Sequence, residues 1–213
     1  QQIKESPTVQ MPAENRKISK VSLMTFLTAT AALALMILYV YFNPKVYLEV
    51  ATLTDSLDAR WSEVPFDTSP GSRFALNKGP MRLEQGVVSF SYDQGVKVLI
   101  EGPARFQMTT PTEIILEQGR LYAHVTETGA GFSVRTQNSR VIDLGTEFGV
   151  SCDDKGDTQL HVFRGKTKLI AGLNNNANEI ADVLGGYAKQ VSQTARQIRS
   201  IELNQGTFAR SIN

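Results

Sequence analysis

The sequence predicts an all-β domain, solenoid-like or sandwich-like, carried on one transmembrane α-helix. Two observations carry that reading. The stretch Val21–Phe42, VSLMTFLTATAALALMILYVYF, is apolar, and no charged residue interrupts Val21 to Pro44. From Met81 onwards, apolar and polar residues alternate in short runs separated by glycines. That two-residue period belongs to strands with one face on a core.

The helix comes first in the chain. At about 1.5 Å per residue, the run crosses the roughly 30 Å hydrocarbon core of a bilayer. In lipid every backbone N–H and C=O must pair internally, and a helix does this within one segment. The run lacks the amphipathic spacing of a surface helix. It also exceeds the about 7–15 apolar residues of a cleaved signal peptide. Tyr39 and Tyr41 stand at its far end, where amphipathic rings favour the headgroup layer. Arg16, Lys17 and Lys20 crowd one flank against Lys45 on the other. The positive-inside rule then places residues 1–20 in the cytoplasm and everything after Lys45 outside. The expected transmembrane segment is 21–43, with the lipid bilayer as its partner. Residues 1–20 hold Pro7 and Pro12 and no apolar period, so they read as a polar tether. The chain begins with Gln1 rather than Met, which reads as a fragment or a processed product.

Composition sets bounds on the rest. With 213 residues, 41% hydrophobic and 20% charged, the chain is ordinary globular protein plus one span. Beyond Lys45 lie 17 basic and 19 acidic residues. No basic stripe is present, so a nucleic-acid partner is not expected. Cys152 is the single cysteine, so no intrachain disulfide forms and the domain stands on its core.

Residues 44–80 read as a juxtamembrane segment leading into the β-domain. Val46–Asp58 is strand-like, Trp61 is a packing anchor, and Phe66–Gly79, with Pro70, Gly71 and Gly79, is loop. Residues 81–192 form the β-domain proper. Val88, Phe90 and Tyr92 alternate with serines, Asp93-Gln94-Gly95 turns the chain, and Val96, Val98 and Ile100 alternate again. This is a hairpin by period and turn chemistry. Short strands follow at 104–108, 113–117, 120–126, 132–136, 140–144, 147–152, 158–163, 166–171 and 187–191, with glycines such as Gly119, Gly145 and Gly165 as separators. Glu117-Gln118-Gly119-Arg120-Leu121 and Val162-Phe163-Arg164-Gly165-Lys166 echo one another, as corners of a solenoid would. Asn174–Asn178 is a polar loop, and 193–213 reads as a last strand running into an exit linker.

Few residues invite chemistry. His124 and His161 are the only histidines, and each sits opposite the aliphatic face of its strand. Both are expected in solvent, and no spacing supplies the further ligand a metal needs. Asp143 and Glu147 bracket Gly145. As a carboxylate pair they would suit a glycosidase; as corner residues they cap backbone N–H groups, which is the expected role. Asp153–Asp157 lacks the ligand periodicity of a calcium loop and reads as a turn. Cys152 is expected half-buried and inert. No catalytic, cofactor-binding or metal-binding residue is therefore assigned, and the chain is not expected to be an enzyme.

The motifs Glu101-Gly102-Pro103-Ala104-Arg105-Phe106, Glu117–Leu121, Gly131-Phe132-Ser133-Val134, DLGTEFGV at Asp143–Val150 and His161-Val162-Phe163-Arg164-Gly165-Lys166 resemble, in order and spacing, the FecR family of bacterial signal-transducing membrane proteins, in its planctomycete-type form. The resemblance covers roughly Val50–Phe208. It implies a single-span inner-membrane protein with a periplasmic β-domain, acting as an anti-sigma regulator of an extracytoplasmic-function sigma factor. The sigma-binding segment would precede Gln1 or be absent from this member. An outer-membrane or envelope protein, or a glycan, is the implied exterior partner. Phe208-Ala209-Arg210-Ser211-Ile212 resembles the connector to a following lectin-like module. That supports an alternative, a membrane-anchored envelope stalk presenting a C-terminal carbohydrate- or protein-binding module. A hydrolase built on Asp143 and Glu147 is a third reading.

Overall fold

The computed structural model describes residues 20–42, 47–64, 67–172, 179–194 and 197–212. The tether at 1–19 and the Asn174–Asn178 loop lie outside the described residues. The chain divides into two units, Gln1–Val46 and Tyr47–Asn213.

In the first unit, helix α1 runs Lys20–Phe42, 23 residues. Leu33, Leu35, Met36, Ile37 and Leu38 are consecutive or nearly so, and each is more than half exposed. The helix is thus apolar around its circumference. Among the described residues no helix is long and apolar enough to cross a membrane.

The second unit is built of strands β1 (Glu49–Glu63), β2 (Arg73–Ala75), β3 (Met81–Tyr92), β4 (Val96–Thr110), β5 (Glu113–Val125), β6 (Ser133–Arg135), β7 (Ser139–Asp143), β8 (Glu147–Cys152), β9 (Thr158–Arg164), β10 (Lys166–Ala171), β11 (Glu179–Leu184), β12 (Tyr187–Val191) and β13 (Ile198–Ile201). Four of them, β1, β3, β4 and β5, are long and bent. Their registers slip at matching places, between Leu57 and Arg60, Leu83 and Val87, and Glu101 and Arg105. Glycines line this crease. A Cβ on Gly86 would strike the Leu57 and Asp58 backbone; one on Gly102 would lie 2.8 Å from the Gln85 nitrogen; one on Gly119 would lie 2.5 Å from the Ala104 Cβ. Each strand lies where its neighbour's side chain would be, which only glycine permits.

Beyond the crease the bent strands enter a second layer. One layer runs β2-β1-β3-β4-β5-β8-β9-β12-β13, and the other continues from the far halves of β1, β3, β4 and β5 through β6, β7, β10 and β11. Of all these pairings only β5 with β6 is parallel. A solenoid stacks its coils in parallel, so the fold is the sandwich-like one. Phe90, from one layer, meets Phe106, from the other, at 6.0 Å between ring centres, and Tyr92 meets Phe132 at 5.2 Å. All four are essentially inaccessible, and burying each ring stabilises the fold by about 1.5–3 kcal/mol. Trp61 packs on this core at 6.1 Å from Phe106, the anchoring role its sequence context predicts. At the layer edges, the Ile198 N–H donates to a Glu179 carboxylate oxygen at 2.9 Å, tying β13 to β11.

Four strand readings need correction. Runs 96–101 and 104–108 are one strand, as are 113–117 and 120–126. Gly102 and Gly119 bend strands rather than end them. Strand β2 lies inside the 66–79 loop, pairing with the start of β1, and β11 follows the Asn-rich run.

Candidate interaction surface

The registers place Ser89, Leu99, Tyr122, Gly149, His161, Ala188 and Ile201 side by side across seven strands. Their neighbours Val98, Ala123, Phe148 and Val162 face the core. So this row lies on the outer face of the first layer, where solvent-facing polar residues are the rule. Instead it carries a second apolar cluster of Leu99, Tyr122 and Phe208, packed with Val87, Phe163 and Ile212.

Phe208 and Ile212 come from residues 202–212, a strap that follows β13 and crosses the outer face over β9, β8, β5 and β4. The strap is held at few points. Its Asn204 N–H donates to His161 Nδ1 at 3.2 Å, and its Ala209 N–H donates to Glu101 Oε1 at 2.7 Å. Phe208 is 5% exposed and lies in a notch left by Gly149, where a Cβ would sit 2.7 Å from the ring. His161 and Phe163 flank that ring at 5.4 and 6.0 Å between centres. The Arg210 guanidinium lies over Phe163 at 5.0 Å, within cation–π reach.

Charge organises the surroundings. Arg120 pairs with Glu101 at 3.2 Å, which keeps the carboxylate directed at the Ala209 N–H. Tyr122 donates to Glu147 at 3.4 Å. Burial, with Glu147 nearby, pushes its pKa up to about 12. His124 shares Glu147 at 3.3 Å. Because the Asn204 N–H needs an acceptor, neutral His161 carries its proton on Nε2, which faces Gln159 Oε1 at 3.4 Å. Burial holds the His161 pKa below its ordinary value. Beside the strap, at the crease, opens a cleft of about 420 Å³ lined by Gly102, Pro103, Gly119, Arg120, Asp154 and Thr207 among others.

The residues singled out in the sequence fall into distinct places. His124 is half-exposed, as read. His161 is 2% exposed, contrary to its strand position, because the strap covers it. Asp143 caps the corner as expected: it accepts from the Gly145 N–H at 2.7 Å and from the Thr146 hydroxyl. It is fully buried, and burial raises its pKa. Glu147 does not cap; it belongs to the outer face with Tyr122 and His124. Asp143 is fully buried while Glu147 lies on the outer face, so the two carboxylates do not open together onto solvent. Cys152 is fully rather than half buried, and burial pushes its thiol up. Asp153 Oδ1 accepts from the Lys155 and Asp157 N–H groups at 3.0 and 2.8 Å, closing the predicted turn. No group of three His, Cys, Asp or Glu able to hold a metal occurs among the described residues.

Sequence reasoning held Gly149, Glu101, Phe208 and Arg210 within quoted motifs but gave none of them a place in a binding surface. Gly149 also carried a local signal, since an isolated glycine inside a strand marks a close approach.

No curated protein matches this chain. Two crystal structures of candidate anti-sigma factors from Parabacteroides distasonis ATCC 8503 are similar to it. One, at 18% identity, aligns over 59% of this chain and 60% of its own, with a TM-score of 0.49. The other, at 16% identity, aligns over 74% and 61%, with a TM-score of 0.38. The chain thus spans about 60% of those relatives. The family model described as FecR protein matches residues 104–168, from the second half of β4 into β10. Over those residues the chain is similar to FecR proteins.

Proposed function

We propose that this chain is a single-pass FecR-type regulator of an extracytoplasmic-function sigma factor. The observation that carries the reading is the FecR match at 104–168 in a chain that also bears a 23-residue apolar helix. At about 1.5 Å per residue, the uncharged run Val21–Phe42 would be about 33 Å long as one helix, the span a bilayer takes. The cations Arg16, Lys17 and Lys20 favour a cytoplasmic N-terminus and a periplasmic sandwich. In this reading the sandwich is a sensor and performs no chemistry. It holds two states, and an exterior partner shifts their balance by binding one better than the other. The helix conveys that balance to a cytoplasmic complex with the sigma factor.

Capture from native membranes tests this. The protein, expressed from its own gene with an affinity tag, is solubilised and its partners identified. A co-purifying sigma factor is the expected result. Envelope polysaccharide or surface proteins without a sigma factor would instead make the sandwich a stalk.

A further inference from the structure

We propose that the outer-face notch at Gly149 is a recognition site for an extended Phe-x-Arg segment of a protein partner, and that the chain's own strap occupies it as a competitor. The strap displays what the site accepts. The Phe208 ring fills the space left by Gly149, between His161 and Phe163. The next residue offers its backbone N–H to Glu101, and the residue after that lays a guanidinium over Phe163. One of these three features comes from the strap's backbone and two from its side chains, and a partner segment can supply all three.

The site is built by the sheet, not by the strap. Glu101 is held by Arg120 of β5, and Tyr122 by Glu147 of β8. Gly149 lies in the middle of β8, and it is the Phe208 ring that a Cβ would meet there. The strap, in contrast, is light. Phe208 is its only buried residue, and Glu202, Asn204, Gln205, Gly206, Arg210 and Ser211 flank it largely in solvent. Segments with few buried contacts open at low free-energy cost. A partner segment with the same three features and further contacts of its own therefore displaces the strap. That exchange would supply two states of the sandwich, strap seated and strap replaced. The proposal stands whether or not a sigma factor is the output.

The test is a peptide titration of the full chain in detergent micelles, followed by amide NMR. The probe is a synthetic peptide of residues 202–212, with a second peptide in which Phe208 is Ala. Phe208→Ala protein, with its own strap unseated, should bind the first peptide and shift the Gly149 and His161 amides. Wild-type protein should bind it at least about 10-fold more weakly, since the tethered strap competes at high effective concentration. The Ala peptide should not bind, and neither should a Gly149→Ala/Phe208→Ala protein whose spectrum shows the sandwich intact. No binding by folded Phe208→Ala protein up to about 1 mM peptide would overturn the proposal. So would equal binding by the Gly149→Ala/Phe208→Ala protein. A wild-type dimer that becomes monomeric on Phe208→Ala would also overturn it, because the notch would then serve strap exchange between copies.

Discussion

Replacing Tyr92 by Phe should make this protein more stable. The Tyr92 side chain is 2% exposed, and its hydroxyl finds no hydrogen-bond partner among the described residues. Burial pushes its pKa up for the same reason. A hydroxyl taken from water into such a site without a partner costs about 1–3 kcal/mol. Its removal leaves the ring on Phe132, 5.2 Å away, so the packing term is retained. The void left by one oxygen costs only a few tenths of a kcal/mol at about 24 cal/mol per Å³. The net expectation is a gain of about 1–2 kcal/mol. For a domain of this size each kcal/mol moves Tm by about 2–4 °C. Thermal unfolding followed by circular dichroism, with a urea titration to confirm an unchanged m-value, reads the effect. A Tm below wild type would show that the hydroxyl is paired and that the core around Tyr92 is not the dry one described.

Three further outcomes follow from the crease, the corner and the strap. Gly119→Ala should lower the urea midpoint by an amount worth about 3 kcal/mol, because φ is +109° and the new Cβ meets Ala104 and the Pro103 carbonyl. Asp143→Ala should cost about 2–3 kcal/mol by orphaning the Gly145 N–H and the Thr146 hydroxyl; Asp143→Asn, which keeps an acceptor, should lose less than half of that in the same assay. Acidification should loosen the strap. His161 is held neutral by burial, so release lets it take up a proton at its ordinary pKa of about 6.5. Strap stability is then intact above about pH 7 and declines as pH falls below about 6.5. Gln159 and Glu202 line the same hollow as the ring. Hydrogen exchange of the Asn204 and Ala209 amides at pH 5.5 and 7.5 checks it, and a His161→Gln variant should show no such difference.

Local rules carried the sequence reading as far as local rules reach. Strands β8, β10 and β12 begin and end where alternation and glycine corners put them. The β3–β4 turn, the Asp153 turn and the Asp143 cap depend on residues only two to four positions apart, and each was legible. The crease was not. Gly102 and Gly119 carry the same sign as a turn glycine, and only the neighbouring strands show that the chain goes on. The solenoid and sandwich alternatives differ in which strands pair at long range, which periodicity does not record. His161 is buried by a segment 43 residues later in the chain. A strand pattern states which face a side chain takes, and nothing in it tells whether a distant segment covers that face. The outer-face site was illegible for that reason.

Transcription shows most plainly whether this chain regulates a sigma factor, as proposed. RNA from cells lacking the gene would be compared with RNA from cells complemented by the wild-type chain and by a chain without the 47–213 sandwich. One sigma-dependent set of promoters should change on deletion, be restored by the wild-type chain, and be fixed in one state by the sandwich-less chain. Indistinguishable transcription across all three would contradict the proposal.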